Sequence, residues 1–368
     1  MIRIFKELDW ILLVALFGLA ALGMIVLYAA VHQGDSELWQ KQAMFWAIGM
    51  LVFSILCFVP LRILGLACWP MYGVALLLLI LVPLVGDIHM GARRWLDFGV
   101  ANIQPSEIMK WALIFVLASW FSSREARGMV EITVPLLLAA IPAGLIIIQP
   151  DLGTTLVLLF AATGMVIAAG LPWRLFMMAA VAGLASLPVL WHFMHDYQKQ
   201  RVLTLLDPQS DPLGAGYHVI QSTIAIGSGG LSGKGFLQGT QGRLHFLPEQ
   251  HTDFIFSILA EEGGLLAVAV LLSLYAVLIL RILFIGHRAH NRFASLLCIG
   301  IASIFILYIT VNIGMVSGLF PVVGLPLPFI SYGGSALVTM LAALGLVMRV
   351  ALESKEKIPW QRPGSPLA

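Results

Sequence analysis

The chain has 368 residues, of which 60% are hydrophobic and 11% are charged, and its mean hydropathy is +0.95. Soluble globular proteins carry about a quarter charged residues, so this composition indicates an integral membrane protein with many spans. The net charge of +2 gives no argument for nucleic-acid binding, and the three cysteines show neither disulfide nor zinc spacing.

Apolar runs long enough to cross a bilayer recur along the chain. A span needs about 20 predominantly apolar residues, and the first run is too long for a signal-peptide core. We predict an all-α polytopic membrane protein with ten transmembrane helices in one domain, residues 1–352, and a tail at 353–368. The predicted spans are 10–31, 42–59, 66–86, 106–122, 132–149, 152–170, 173–194, 253–282, 293–316 and 332–352.

The basic residues of the short loops predict the orientation. Thirteen Lys and Arg residues fall on the side of both termini and three on the other side, which places both termini in the cytoplasm. A large loop between the seventh and eighth spans, 195–252, is then outside. It is rich in turn-forming residues, but its apolar helical pattern at 219–227 favours a folded, partly re-entrant cap over a flexible loop.

Ionisable residues collect at the predicted outer ends of the spans. The stretch QPSEIMK has helix-start chemistry, because Pro105 suits the first turn and Ser106 can cap the helix. It places Glu107 and Lys110 at i and i+3, close enough to pair. The residue pattern leaves a structural pair and a catalytic role equally open.

Two aspartates precede apolar runs on the same outer side, Asp151 in QPDLGT and Asp253 in PEQHTDFIF. Either could cap the helix that follows. Because ionisable groups at membrane depth are costly and indicate function, both could instead join Glu107 in one outward cavity. The cations predicted near that cavity are Arg93, Arg94, Lys110, Lys199 and Arg201.

Three further patterns give weaker signals. Glu261 and Glu262 would lie about 12 Å and 14 Å further along a straight helix from Asp253, a depth that suits helix packing or partner binding. A metal site near His245, Glu249, His251 and Asp253 is an alternative without a recognised ligand spacing. GSGGLSGKG lacks the spacing of a phosphate-binding loop.

Several long stretches together resemble one family. They are GARRWLDFG, QPSEIMK, QPDLGT, DPLGAGYHVIQSTIAIGSGGLSGKG, FLPEQHTDFIFSILAEE and NIGMVSGLFPVVGLPLPFISYGGSA. They resemble the SEDS family (shape, elongation, division and sporulation) from the first span to the last. The segment HDYQKQRVLTLLDPQSDPLGAGYH is most similar to the rod-shape branch, and the division branch is the near alternative.

The resemblance implies a peptidoglycan glycosyltransferase of the bacterial inner membrane. Such proteins polymerise lipid II on the outer side during cell elongation, with a class B penicillin-binding protein and other proteins of the elongation complex. It also implies that Asp253 is catalytic, that Glu107 and Lys110 line the substrate cavity, and that a divalent cation, Mg or Mn, takes part with unassigned ligands. The substrate-binding residues that we predict are Glu107, Lys110, Arg93, Arg94, Asp151, Arg201 and His251.

The expected chemistry is an inverting displacement of undecaprenyl pyrophosphate, with Asp253 as general base. The main alternative is a lipid II flippase, a transporter without chemistry. Charges gathered on the outer side rather than at the midplane favour surface chemistry. A scaffold that only recruits a synthase would leave Asp253 and the polar cap unexplained.

Overall fold

The computed structural model describes residues 7–32, 36–89, 92–97, 102–193, 196–211, 214–243 and 250–355. Most of this part of the chain is helical. The helices are α1 Trp10–Val31, α2 Ser36–Leu56, α3 Leu61–Val85, α4 Pro105–Ser122, α5 Met129–Ile148, α6 Leu152–Ala168, α7 Trp173–Phe193, α8 Asp196–Leu206, α9 Ala215–Gly229, α10 Thr240–Arg243, α11 Ile255–His287, α12 Arg292–Val316 and α13 Gly334–Glu353.

Within the described residues, six helices are long and apolar enough to cross a membrane: α1, α3, α5, α11, α12 and α13. Helices suit the bilayer because they satisfy every backbone polar group internally. The predicted spans at 42–59, 106–122, 152–170 and 173–194 are also helical, as α2, α4, α6 and α7. The protein is therefore a helical, multi-pass membrane protein.

The predicted all-α fold is confirmed, and the structure adds a small element between α3 and α4 that the sequence did not predict. Three short strands form an antiparallel sheet there, β1 Asp87–His89, β2 Ala92–Asp97 and β3 Asn102–Ile103. Strands of three, six and two residues are too short to give a clear two-residue periodicity in the sequence.

The segment predicted as a folded cap is largely helical where the structure describes it. It contains α8, a 3₁₀ turn at Pro208–Ser210, α9 and α10. Helix α9 packs against α11 and α12, and the Ser222 hydroxyl donates a hydrogen bond to the carbonyl of Val316 at the end of α12. These contacts fix the segment to the helices beside it.

Helix α11 is broken by a kink at Gly264, whose φ of 64° and ψ of −165° are not helical. The part after the kink, residues 265–287, is about 35 Å long at 1.5 Å per residue, which is enough to span a bilayer. Glu261 and Glu262 precede the kink and therefore lie in a different helical segment from the one that is long enough to span a bilayer.

Helix α12 lies at the centre of the bundle. It packs against α4, α6, α9, α11 and α13, and most of its length is buried. A Cβ added at Gly300 would lie 2.8 Å from Ile114 on α4 and 2.9 Å from Met165 on α6. The small residue thus lets three helices approach closely, as is common in membrane bundles.

Candidate active site

The first turn of α4 carries a buried ion pair. Pro105 lies in the first turn, as QPSEIMK predicts, but Ser106 is not the cap: it lies inside the helix, and Gln104 occupies the N-cap position. Lys110 Nζ lies 2.6 Å from Glu107 Oε1, and the two residues are only 2% and 7% exposed. The predicted i, i+3 pair is confirmed, and it is shielded from solvent.

Two residues that the sequence interpretation missed complete this pair. The Tyr308 hydroxyl of α12 accepts a hydrogen bond from Lys110 Nζ, and Thr339 Oγ1 of α13 lies 3.3 Å from Glu107 Oε2 as a donor. A buried ion pair is tolerated when further hydrogen bonds satisfy its remaining donors and acceptors. The only sequence signal for either partner is a polar residue within an apolar run.

Asp151 is the N-cap of α6, one of the two alternatives that the sequence left open. Its Oδ1 accepts a hydrogen bond from the Thr154 backbone N–H at 3.1 Å, and its Oδ2 accepts one from Thr154 Oγ1 at 2.9 Å. Gln104 Nε2, at the start of α4, is a third donor at 3.3 Å. The carboxylate therefore ties the starts of α4 and α6 together.

Arg94 and Arg93 anchor the short sheet. The Arg94 guanidinium donates hydrogen bonds to the carbonyls of Gln149 and Pro150, in the corner just before Asp151. Arg93 is exposed, and its Nη1 lies 3.2 Å from the Pro83 carbonyl. The structure thus places Arg94 at the QPDLGT corner, where it fixes the backbone, and Arg93 near the end of α3.

Asp253 lies in a turn before α11 and is not its N-cap. That position belongs to Phe254, whose side chain makes no cap bond. The Asn312 side chain of α12 donates a hydrogen bond to the Asp253 carbonyl at 3.0 Å. The ring of His251 lies 5.9 Å from that of Tyr332, two residues before α13.

The segment between α12 and α13, residues 317–333, bridges the two aspartate motifs. A Cβ added at Gly324, where φ is +70°, would lie 3.3 Å from Asp253 Oδ2. One added at Gly153, near the start of α6, would lie 3.0 Å from the Val323 carbonyl. One continuous set of contacts therefore connects the QPDLGT corner with the turn that holds Asp253.

This bridging segment is fixed in the bundle by the packing of Phe329. Phe329 has a φ of 66°, a strained value for a residue with a side chain. Its buried ring lies 5.8 Å from the ring of Trp46 and 5.6 Å from that of Phe305. Burial of three aromatic side chains offsets the cost of that backbone conformation.

Glu261 binds the loop after α9 instead of another transmembrane helix. Its Oε1 accepts hydrogen bonds from Lys234 Nζ at 2.6 Å and from the Thr240 backbone N–H at 2.7 Å. Gln241 N–H is a further donor, and Glu262 Oε2 accepts from the Leu237 N–H at 3.1 Å. The two carboxylates hold residues 234–241 against the start of α11.

The contacts described above do not include the remaining predicted residues. Arg201 and Lys199 lie on α8, half-buried, while His245 and Glu249 fall outside the described residues. In the part of the chain that the structure describes, no three His, Cys, Asp or Glu side chains come together as metal ligands. The ligands of the expected divalent cation are therefore unassigned.

Fold and site together define a multi-pass membrane protein in which a buried ion pair and a carboxylate-bearing turn are joined by a central helix. The chain belongs to the FtsW/RodA/SpoVE family of cell cycle proteins, whose family model matches residues 8–356. This confirms the resemblance seen in the motifs.

Several known proteins are similar to the chain over nearly its whole length. The peptidoglycan glycosyltransferase MrdB of Escherichia coli strain K12 is 44% identical, over 95% of each chain. The probable peptidoglycan glycosyltransferase FtsW of Thiomicrospira cyclica is 35% identical, over 95% of this chain and 93% of its own. The higher identity to MrdB supports the predicted rod-shape branch.

Two solved structures share the fold. A chain from a peptidoglycan synthase complex that coordinates polymerisation and crosslinking has 38% sequence identity and a TM-score of 0.83, covering 95% of this chain and 99% of that chain. The rod shape determining protein RodA of Thermus thermophilus has 33% identity and a TM-score of 0.73, covering 95% and 98%.

Proposed function

We propose that the chain polymerises lipid II into glycan strands on the outer side of the cytoplasmic membrane, with Asp253 as general base. The chain is a peptidoglycan glycosyltransferase, the activity for which its relatives at 44% identity are named. The observation that carries the assignment of the base is the setting of Asp253. Its turn is held through the backbone by Asn312, and its carboxylate lies against Gly324 at a junction of polar and apolar segments.

The reaction needs one base and no covalent nucleophile. The Asp253 carboxylate takes the proton of an acceptor sugar hydroxyl as that oxygen attacks the anomeric carbon of the donor. The bond from the anomeric carbon to the pyrophosphate oxygen breaks, and undecaprenyl pyrophosphate leaves with the bonding electrons. A single displacement inverts the anomeric centre, so an α-linked donor gives a β-linked chain.

Charge that develops on the leaving pyrophosphate calls for cations. Lys110 is buried and bonded to Glu107 and Tyr308, so we assign this cluster to shaping the cavity rather than to binding phosphate. Arg93, which is exposed, and Arg201 are the proposed ligands of the pyrophosphate. Arg94 supports them by fixing the corner at Gln149.

The membrane arrangement belongs to the same proposal. We infer that ten helices cross the membrane and that both termini are cytoplasmic, because basic residues dominate the short loops on the terminal side. The site then faces outward. A class B penicillin-binding protein is the proposed partner, and the similarity to a chain from a peptidoglycan synthase complex supports it.

Polymerisation of purified lipid II tests the proposal. Wild-type protein with a class B penicillin-binding protein should release one undecaprenyl pyrophosphate for each disaccharide added, and the folded Asp253→Asn variant should make no glycan. A wild type that makes no glycan yet moves labelled lipid II across liposome membranes would support the flippase instead. Normal polymerisation by Asp253→Asn would remove this residue from the role of base.

A further inference from the structure

The turn that carries Asp253 is held at three successive backbone carbonyls. The Tyr332 N–H donates to the carbonyl of His251 at 2.8 Å, and the Ser331 hydroxyl donates to that of Thr252. The third carbonyl, that of Asp253, accepts from Asn312 Nδ2 at 3.0 Å. Two donors come from the segment between α12 and α13, and the third is a side chain of α12 itself.

Asn312 makes a second contact that bears on the same carboxylate. Its Nδ2 also donates to the Leu325 carbonyl at 2.8 Å. Leu325 follows Gly324, the residue against which Asp253 Oδ2 lies. One amide nitrogen therefore sets the distance between the Asp253 backbone and the wall that faces its side chain.

The position of Asn312 on the helix links this turn to the ion pair. Residues four apart lie on one face of a helix, so Asn312 is one turn from Tyr308, which accepts a hydrogen bond from Lys110. Helix α12 is buried in the centre of the bundle. One buried helix therefore contacts both the ion pair and the turn that carries Asp253.

Packing alone does not account for an asparagine here. The residue is fully buried, and its Oδ1 has no hydrogen-bond partner among the described residues. A buried polar group that is only half satisfied is costly, so the two hydrogen bonds of Nδ2 must offset the cost of the unpaired Oδ1. Such exceptions are concentrated at functional sites.

We propose that Asn312 is a positioning residue that holds Asp253 in attack geometry through the backbone. The inference rests on the proposed role of Asp253 as base. A misplacement of about 1 Å can lower a rate about 10²-fold, so loss of the Nδ2 donor should reduce kcat and leave substrate binding nearly intact.

The first test compares Asn312→Ala with Ser303→Ala. Ser303 is a matched control because it is a buried polar residue of the same helix whose hydroxyl bonds only to the Ile299 carbonyl of α12 in the described contacts. Steady-state polymerisation of lipid II should show kcat lowered about 10²-fold for Asn312→Ala, with KM nearly unchanged. Ser303→Ala should keep both constants, and thermal unfolding should show that both variants are folded.

Asn312→Asp is a second variant that keeps the shape of the side chain. A buried carboxyl between two carbonyls can donate a hydrogen bond only when it is protonated. The ratio of its kcat to that of wild type should therefore rise as pH falls and the introduced carboxyl becomes protonated. This readout does not depend on the stability of an alanine variant.

The outcomes separate the inference from the function on which it rests. A folded Asn312→Ala with normal kcat, or an Asn312→Asp ratio near one at every pH, would overturn the positioning role and leave the polymerase assignment intact. A wild type that makes no glycan in the same assay would instead count against the proposed function. A lower kcat with an equal loss in Ser303→Ala would show a general packing effect and also overturn the proposal.

Discussion

Asp151 and Asp253 occupy similar places in the sequence and different places in the structure. Each precedes an apolar helix on the predicted outer side. Asp151 is the N-cap of α6, and its carboxylate accepts hydrogen bonds from Thr154 and Gln104. Asp253 precedes the N-cap residue of α11, and its turn is fixed through its backbone carbonyl.

The side chain of Asp151 connects two helices, whereas Asp253 is held in position by contacts to its backbone. The donors around Asp151 come from the helix it starts and from the neighbouring α4, so its side chain connects structural elements. The Asp253 turn is connected by Asn312, Ser331 and Tyr332, which bond to main-chain oxygens. These donors fix the turn through its main chain.

The sharpest test of this comparison replaces each aspartate with asparagine. General base catalysis contributes about 10²–10⁴-fold, so Asp253→Asn should lower lipid II polymerisation by that amount or more. Asparagine caps helices about as well as aspartate, so Asp151→Asn should lose much less activity than Asp253→Asn. Equal losses in the two variants, measured on folded protein, would contradict the distinction.

The buried ion pair should show its largest effect in stability. Lys110→Met leaves the Glu107 carboxylate buried without its cation, which typically costs about 3–5 kcal/mol. The double variant Glu107→Gln/Lys110→Met removes both charges and should recover most of this loss. Thermal unfolding of the two variants measures the difference, and a double variant as unstable as Lys110→Met would show that the charges do not compensate each other.

The carboxylates before the Gly264 kink should differ from each other. Glu261 balances the Lys234 ammonium and accepts backbone N–H groups of Thr240 and Gln241. Hydrogen bonds to charged groups contribute about 1.5–3 kcal/mol, so Glu261→Gln should lower the free energy of unfolding by roughly this amount. Glu262→Gln, the matched control, should cost less because the hydrogen bond described for Glu262 comes from the Leu237 backbone N–H and not from an ammonium group. A larger loss in Glu262→Gln would contradict the stronger role assigned to Glu261.

Features that depend on local sequence could be predicted. Long apolar runs located the helices, and the i, i+3 spacing of Glu107 and Lys110 predicted their ion pair. The cap at Asp151 was one of two stated alternatives, because an acid before an apolar run is the ordinary pattern of an N-cap. In each of these cases the interacting residues are near each other in the chain.

Features that depend on tertiary contacts could not be predicted. Tyr308 and Thr339 meet the ion pair from 198 and 232 residues away. Asn312 reaches the Asp253 turn across 59 residues, and nothing in a single apolar run indicates which polar residue will face such a partner. The kink at Gly264 was missed because helical periodicity continues through it, although a Gly-Gly pair weakens a helix.

The smallest expected effect is a pH dependence where the cap meets the Asp253 turn. The ring of His218 on α9 lies 6.0 Å from that of Phe254. Burial lowers the pKa of His218 below its usual value, and the charge of Asp211 opposes this only in part. The unfolded chain therefore takes up a proton at His218 near pH 6.5, whereas the folded chain does so only at lower pH. The stability contributed by neutral His218 is therefore present above pH 6.5 and is lost as pH falls below it. Between about pH 7.5 and 5.5, the Tm of wild type should fall more than that of His218→Gln, and equal decreases would show that this contact does not titrate.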